Sequence, residues 1–340
     1  MGRKNKRYKK DLHQQAYEIL VSKQAFGEPK REAKKDGTSH YKIFSYNTYK
    51  TYWKHIKYFI RWIKANHQEC TTLHKAQKYV NVWLQVRVDQ GLSASTIHTE
   101  AKALSKLYDI RPDDPQYFKP PLRKRENIKR SRNEAVNDKY FFRKENEEFI
   151  QFCQGVGGRR TAISKLKSND LWLRKDMEET LRIEERGIGI IDDGGDTNLI
   201  KNIKDALETF PDQNVFVHFI KDKGGRSRFA PVIENVKQII DRFNMTPTGK
   251  KVWEHMLGYS DIHSLRADYA ASIYRKYARN VEKIPKNEKI MINGKLKSAL
   301  YVCKKDAEGK VLDRLAMFKC SKALGHNRES VVANNYLYRL

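Results

Sequence analysis

Acidic residues are scarce in this 340-residue chain. It carries 41 Asp and Glu against 68 Lys and Arg, a formal net charge of +27. A field of that sign draws polyanions, nucleic acid first, with an acidic protein or an anionic membrane surface as the bland alternatives. Cysteine is scarce as well: Cys70, Cys153, Cys303 and Cys320 lie far apart with no C-x-x-C pair, which argues against a structural zinc site. They read as reduced thiols in a reducing compartment, most simply a prokaryotic cytoplasm. Long apolar runs are missing. No segment approaches the ~20 residues that span a bilayer, so no membrane partner is expected. The opening "MGRKNKRYKKDLHQQ" has the charges of a signal peptide without an apolar stretch behind them, and reads as a basic arm. P-loop glycines and a carboxylate cluster suited to Mg²⁺ are absent too, and no cofactor is expected.

What is present is helix-forming periodicity. "DLHQQAYEILVSKQAF" offers a short apolar face through Ala16, Ile19, Leu20 and Val21, and "GEPKREAKKDGTSH" reads as a mobile loop. "YNTYKTYWKHIKYFIRWIKANH" sets Tyr49, Trp53, Ile56, Phe59, Ile60 and Ile63 at three-to-four spacing, with Lys and Arg61 on the other face. "LHKAQKYVNVWLQVRVDQG" repeats the design and stops at Gly91, and "LSASTIHTEAKALSKLYDI" follows with Ser93 or Ser95 as N-cap. Trp53, Phe59 and Trp83 read as core; the lysines suit phosphates, which position a protein on a duplex without reading its sequence. "DDPQYFKPPLRKRENIKRSR" breaks helices at Pro-Pro and reads as a charged linker. The divisions expected are a basic segment 1–40, a helical domain 41–117, a linker 118–136 and a second domain 137–340. In the last, "NVFVHFIKDKGGRSRFAPVI" is a β-hairpin turning at Lys223-Gly224-Gly225. A lysine-rich hairpin insertion is expected at about 285–312, turning near Gly294 and Gly309. The fold class is mainly α with small β-hairpins (α+β).

Several chemical signals in the second domain are weak alone. In "GVGGRRTAISKLKSNDL" glycines precede paired arginines that open a helix through Ala162, Ile163 and Leu166, a place suited to an anion. Lys223 sits at a hairpin tip. His263 and Arg266 in "HSLRADYAASIYRKYAR" are three apart and share one helical face, with Ala267, Ala270 and Ala271 allowing close packing. "KALGHNRESVVANNYLYRL" places His326 ten residues before Tyr336.

Their order resembles the tyrosine recombinase (phage integrase) family: glycine–Arg–helix, hairpin lysine, H-x-L-R, L-G-H and a late tyrosine. The likeness covers the second domain, and the helical first domain looks like the family's core-binding domain. It implies a C-shaped clamp on double-stranded DNA, a homo-tetramer on two recombination core sites and accessory DNA-bending proteins. It also implies strand cleavage and rejoining through a 3′-phosphotyrosine without ATP or metal, in integration and excision of a mobile element. Carried over position by position, Arg159 is the first arginine (Arg160 the fallback), Lys223 the lysine that protonates the leaving 5′-oxygen, and His263 and Arg266 the H-x-x-R pair. His326 is the histidine of the L-G-H box, and Tyr336 is the nucleophile ahead of Tyr338. The chemistry suits these roles: arginines offset the charge that grows on an attacked phosphodiester, and a phenol must lose its proton as it attacks. Three departures stand out. Many relatives have an acid three positions after the first arginine, where this chain has Ala162, so support for Arg159 must come from elsewhere or is weaker. The His-to-Tyr interval is ten where nine is common. Few residues follow Tyr336, and the 285–312 hairpin is the candidate for the contact that a longer tail makes between protomers. Other readings are a dimer-resolving recombinase, a type IB topoisomerase, or a DNA-binding protein of this fold that does not cleave.

Overall fold

The computed structural model describes residues 10–123, 140–187, 196–222, 225–256, 258–303, 309–326, 328–337 and 340. Most of the linker expected at 118–136, with Lys223 and Tyr338, lies outside these residues. Packing divides the chain into two compact units, Met1–Lys124 and Arg125–Leu340.

The first unit is helical. α1 (Leu12–Ser22) is capped by Asp11, whose carboxylate accepts from Gln14 N at 2.8 Å. It buries Leu12, Ala16 and Leu20 with Ile19 half-buried beside them, so the expected face holds except at Val21, which is exposed, and it begins a turn earlier, at Leu12. Residues 27–40, expected as a mobile loop, contain a one-turn-and-a-half helix, α2 (Lys30–Lys35). Pro29 supplies its pre-set φ at the N-cap, and Ala33 is buried beneath it. α3 (Tyr46–Asn66) starts at Ser45, whose hydroxyl accepts from Thr48 N. Its buried stripe of Tyr49, Ile56, Phe59, Ile60 and Ile63 packs on α1 and on the helices that follow. Each such side chain contributes about 1.5–3 kcal/mol by leaving water. The single helix expected over 73–91 is broken into α4 (Leu73–Ala76) and α5 (Val80–Asp89). Between them the chain tightens into a 3₁₀ turn at Gln77–Tyr79, where Tyr79 stacks on His67 with ring centroids 3.6 Å apart. α6 (Ala94–Leu107) begins at Ser93, the N-cap the sequence offered, and lies against α3. Residues 1–40, set apart in the sequence reading, thus supply α1 and its buried face to this unit's core.

The second unit surrounds a small sheet. α7 (Glu147–Val156) leads through a glycine turn into α8 (Arg160–Ile163) and β1 (Leu171–Leu173). The helix expected to run through Leu166 is thus a single turn: Leu166 and Ser168 leave it to bond Val252 N and Lys250 O across an isolated bridge. α9 (Arg174–Glu185) and α10 (Leu199–Thr209) precede the hairpin of β2 (Val215–Asp222) and β3 (Arg226–Pro231). The sheet order is β1-β2-β3, antiparallel throughout. Both of its faces are covered, which explains the near-continuous apolar run in β2. Phe216 and Phe229 face one cluster; Val215, Val217, Phe219 and Ala230 face the other. α11 (Val236–Asn244) follows, then α12 (Ile262–Tyr277), whose Ala267, Ala270 and Ala271 are buried against neighbouring helices. The insertion consists of two hairpins, β4 (Lys289–Ile292) with β5 (Lys295–Ser298), and β6 (Leu300–Val302) with β7 (Val311–Asp313). α13 (Arg314–Ala323) and α14 (Glu329–Asn335) complete the unit. Among the described residues no helix is long and apolar enough to cross a membrane, and the four cysteines are buried and free.

Candidate active site

Three helix ends and one hairpin meet at the site. α7 stops at Gly157, which takes φ +59° as a left-handed cap. A Cβ there would lie 2.1 Å from the Tyr269 ring, so the position also demands the missing side chain. Two residues later Arg159, in extended conformation, is the N-cap of α8 and sends its guanidinium across to the hairpin. α13 ends in a Schellman motif: His326 N donates to Ser321 O at 2.7 Å and Gly325 N to Lys322 O at 2.9 Å, with Gly325 at φ +68°. This gives the L-G-H triplet a physical reason. The glycine turns the chain, and the histidine leaves the helix end aimed inward.

The exposed carbonyls at these helix ends hold arginines. Arg266, 1% exposed, donates Nη1 to Gly157 O and Nη2 to Leu324 O at 2.5 Å. Arg228 donates Nε to Ala323 O at 2.9 Å and lies over the Phe219 ring, its Cζ 4.4 Å from the centroid. Helix C-termini carry unpaired carbonyls and partial negative charge, and guanidiniums satisfy both. Burial, then the mutual repulsion of Arg228 and Arg266, lowers the Arg228 pKa to about 10; burial also lowers that of Arg266.

Tyr336, the C-cap of α14 and 5% exposed, reaches into this group. Its Oη accepts from Arg266 Nε at 3.4 Å and lies 3.3 Å from His326 Nε2. The His263 ring, on the first turn of α12, lies 5.1 Å from the Tyr336 ring between centroids. Burial and the charges of Arg266, Arg159 and Arg228 depress the His326 pKa to about 3, so its imidazole is neutral near pH 7. Arg160, the fallback for Arg159, turns elsewhere and donates to Ser260 O at 2.6 Å. Arg159, His263, Arg266, His326 and Tyr336 therefore come together, while Lys223 is outside the described residues. Ala162 is buried among apolar neighbours.

Two members of the cluster escaped the sequence reading. Asp222 Oδ2 accepts from Arg159 Nη1 at 2.5 Å and from Arg228 Nη1 at 2.8 Å. The only sequence signal for either was proximity to Lys223. A cavity of about 130 Å³, lined by Arg159, Asp222, Arg228, Lys322 and His326 among others, opens beside them. Arg159 also lines a second depression with Gly158, Arg160, His263 and Arg266. Among the described residues no group of three or more His, Cys, Asp and Glu is placed to hold a metal.

Residues 36–116, which hold α3 to α6, match the family described as phage integrase, N-terminal SAM-like domain. The resemblance carried by the motifs of the second unit points to the same family of integrases. Among solved structures, a Tn1549 transposon integrase in complex with circular intermediate DNA aligns over 96% of this chain and 96% of that one. The identity is 11% and the TM-score 0.36. Compared with curated proteins, the chain has no match.

Proposed function

We propose that this protein is a site-specific DNA recombinase of a mobile element that cuts and rejoins strands through Tyr336. The single observation that carries this reading is the convergence on Tyr336 Oη of Arg266 Nε at 3.4 Å and His326 Nε2 at 3.3 Å, from segments up to 70 residues away. A phenol held beside a fixed guanidinium is where an attacked phosphodiester would need both nucleophile and counter-charge.

The step balances without a co-reactant. Tyr336 Oη attacks phosphorus, forming the tyrosyl–phosphorus bond at the 3′ end. The bond to the 5′-oxygen breaks, and that oxygen leaves as a hydroxyl, protonated by Lys223. The phenolic proton passes toward His263. Arg159 and Arg266 clamp the non-bridging oxygens. His326, neutral near pH 7, donates one hydrogen bond to the phosphate. A 5′-hydroxyl from a second duplex then reverses the chemistry, in a tetramer holding two sites. Integration and excision are the task this serves.

DNA contact has its own support in the first unit. Lys50, Lys54, Lys57, Arg61 and Lys64 fall within roughly 80° around α3, opposite its buried stripe. Lys50 lies over Tyr46, Lys54 and Arg61 over Tyr58, and Lys57 over Trp53, which splays the cations along one face.

The test uses DNA flanking the gene, on which covalent protein–DNA adducts are mapped, followed by a nicked suicide duplex built on the mapped site. Wild type should accumulate adduct; Tyr336→Phe should form none yet bind the duplex as tightly. Tight binding without adduct by the wild type identifies a non-cleaving binder. Relaxation of a supercoiled plasmid lacking the site points to a topoisomerase.

A further inference from the structure

The acid that supports the first arginine comes from the hairpin. On β2, Phe219 pairs with Arg228, while Asp222 pairs with Arg226. Three residues on β2 thus span two on β3, which is a β-bulge. Lys221 carries it, at φ +47°, a left-handed conformation uncommon outside glycine. The consequence follows from strand alternation. In a regular strand Phe219 and Asp222, an odd number apart, would point to opposite faces. The extra residue resets the alternation. Asp222 now shares a face with Arg226, and therefore with Arg228 and Phe219. That face looks toward Arg159.

Asp222 has a 3% exposed side chain, so its carboxylate meets the two guanidiniums with little screening. Around it stand Arg159, Arg228 and Arg266, whose charges repel one another. Arg266 is anchored by two helix-end carbonyls and Arg228 by one. Arg159 is anchored differently. It sits at the mouth, 22% exposed, and its guanidinium is tied to the hairpin through Asp222.

We propose that Asp222 is a positioning residue for strand cleavage: the bulged hairpin carries it to Arg159, where it fixes the guanidinium that meets the DNA phosphate. The inference rests on the recombinase reading given above. It also couples the hairpin to the arginine clamp. Whatever moves the strand that ends at Asp222 also moves Arg159.

The experiment is single-turnover adduct formation on the suicide duplex by the full chain. Asp222→Asn should slow cleavage roughly 10–100-fold, less than the ~100–1000-fold lost when a transition-state donor is itself removed, because Arg159 is loosened rather than deleted. Duplex affinity should stay within about threefold, because the cationic surface is intact. In an Arg159→Ala background the same substitution should slow cleavage no further, since both changes remove one action. Because Arg228 would be left buried beside a neutral amide, Asp222→Asn combined with Arg228→Met supplies a second variant without the stranded cation. It should be as slow as Asp222→Asn. Cleavage at the wild-type rate by either variant, or losses that multiply with Arg159→Ala, overturns the inference and leaves the recombinase reading standing. Absence of adduct with the wild type overturns both.

Discussion

His326 sits among three guanidiniums with a half-buried imidazole, and its acid–base behaviour follows. Its folded pKa of about 3 lies below the 6.5 of an unperturbed histidine. Between those values the unfolded chain binds a proton that the folded chain refuses. Stability should therefore be full above pH 6.5 and fall as pH drops from there toward 3. Thermal melts from pH 7 to 4 will show this slope, and His326→Gln, which cannot take the proton, should flatten it in part. An unchanged slope in the variant would place the titration elsewhere. The same residue shows how far a sequence can be read. Arg159, His263, Arg266, His326 and Tyr336 were singled out through the family resemblance that their order carries. Asp222 was not, because the face it occupies depends on a bulge at Lys221 that no alternation pattern announces.

Helix ends, rather than helix bodies, build the site. Gly157 combines a left-handed φ, contact with the Tyr269 ring and a carbonyl that binds Arg266. Gly157→Ala should cost roughly 2 kcal/mol or more, from strain at positive φ and from overpacking. It should also displace the carbonyl that aims Arg266. Chemical denaturation will measure the first effect, and adduct formation under conditions where the variant remains folded will measure the second; wild-type values of both would remove this role. Some elements were visible in the sequence, such as the capped α3 and the β2–β3 hairpin, because period and turn residues agree there. Others were not. α8 shrinks to one turn because Leu166 and Ser168 bond to residues more than eighty positions away. The loop expected before residue 40 holds α2 because Ala33 finds a buried place.

At the scale of the molecule, charge dominates. The net +27 is far larger than solubility needs, and α3 concentrates part of it on one face. Lys50, Lys54 and Arg61 are exposed on that stripe. Replacing all three by Gln should weaken binding to any duplex, cognate or not. It should also lower the steepness of log affinity against log salt by roughly one unit per contact removed. Equal slopes for variant and wild type, titrated between ~50 and ~200 mM salt, would take the stripe off the DNA. Cleavage at saturating DNA should be unaffected, because none of the three belongs to the cluster around Tyr336.

By itself the sequence determined the helical class of the first unit, the hairpin of the second, the excess of positive charge and the residue types that the proposed attack on a phosphodiester would use. These follow from local period, from turn and cap chemistry and from counting, which need no third dimension. Only tertiary structure decided which arginine turns inward, which carbonyls hold Arg266 and Arg228, and which carboxylate ties Arg159 to the hairpin. Those choices arise where helix ends and a bulged strand from distant parts of the chain are packed together. There, burial makes it costly to leave a charge or an open carbonyl without a partner.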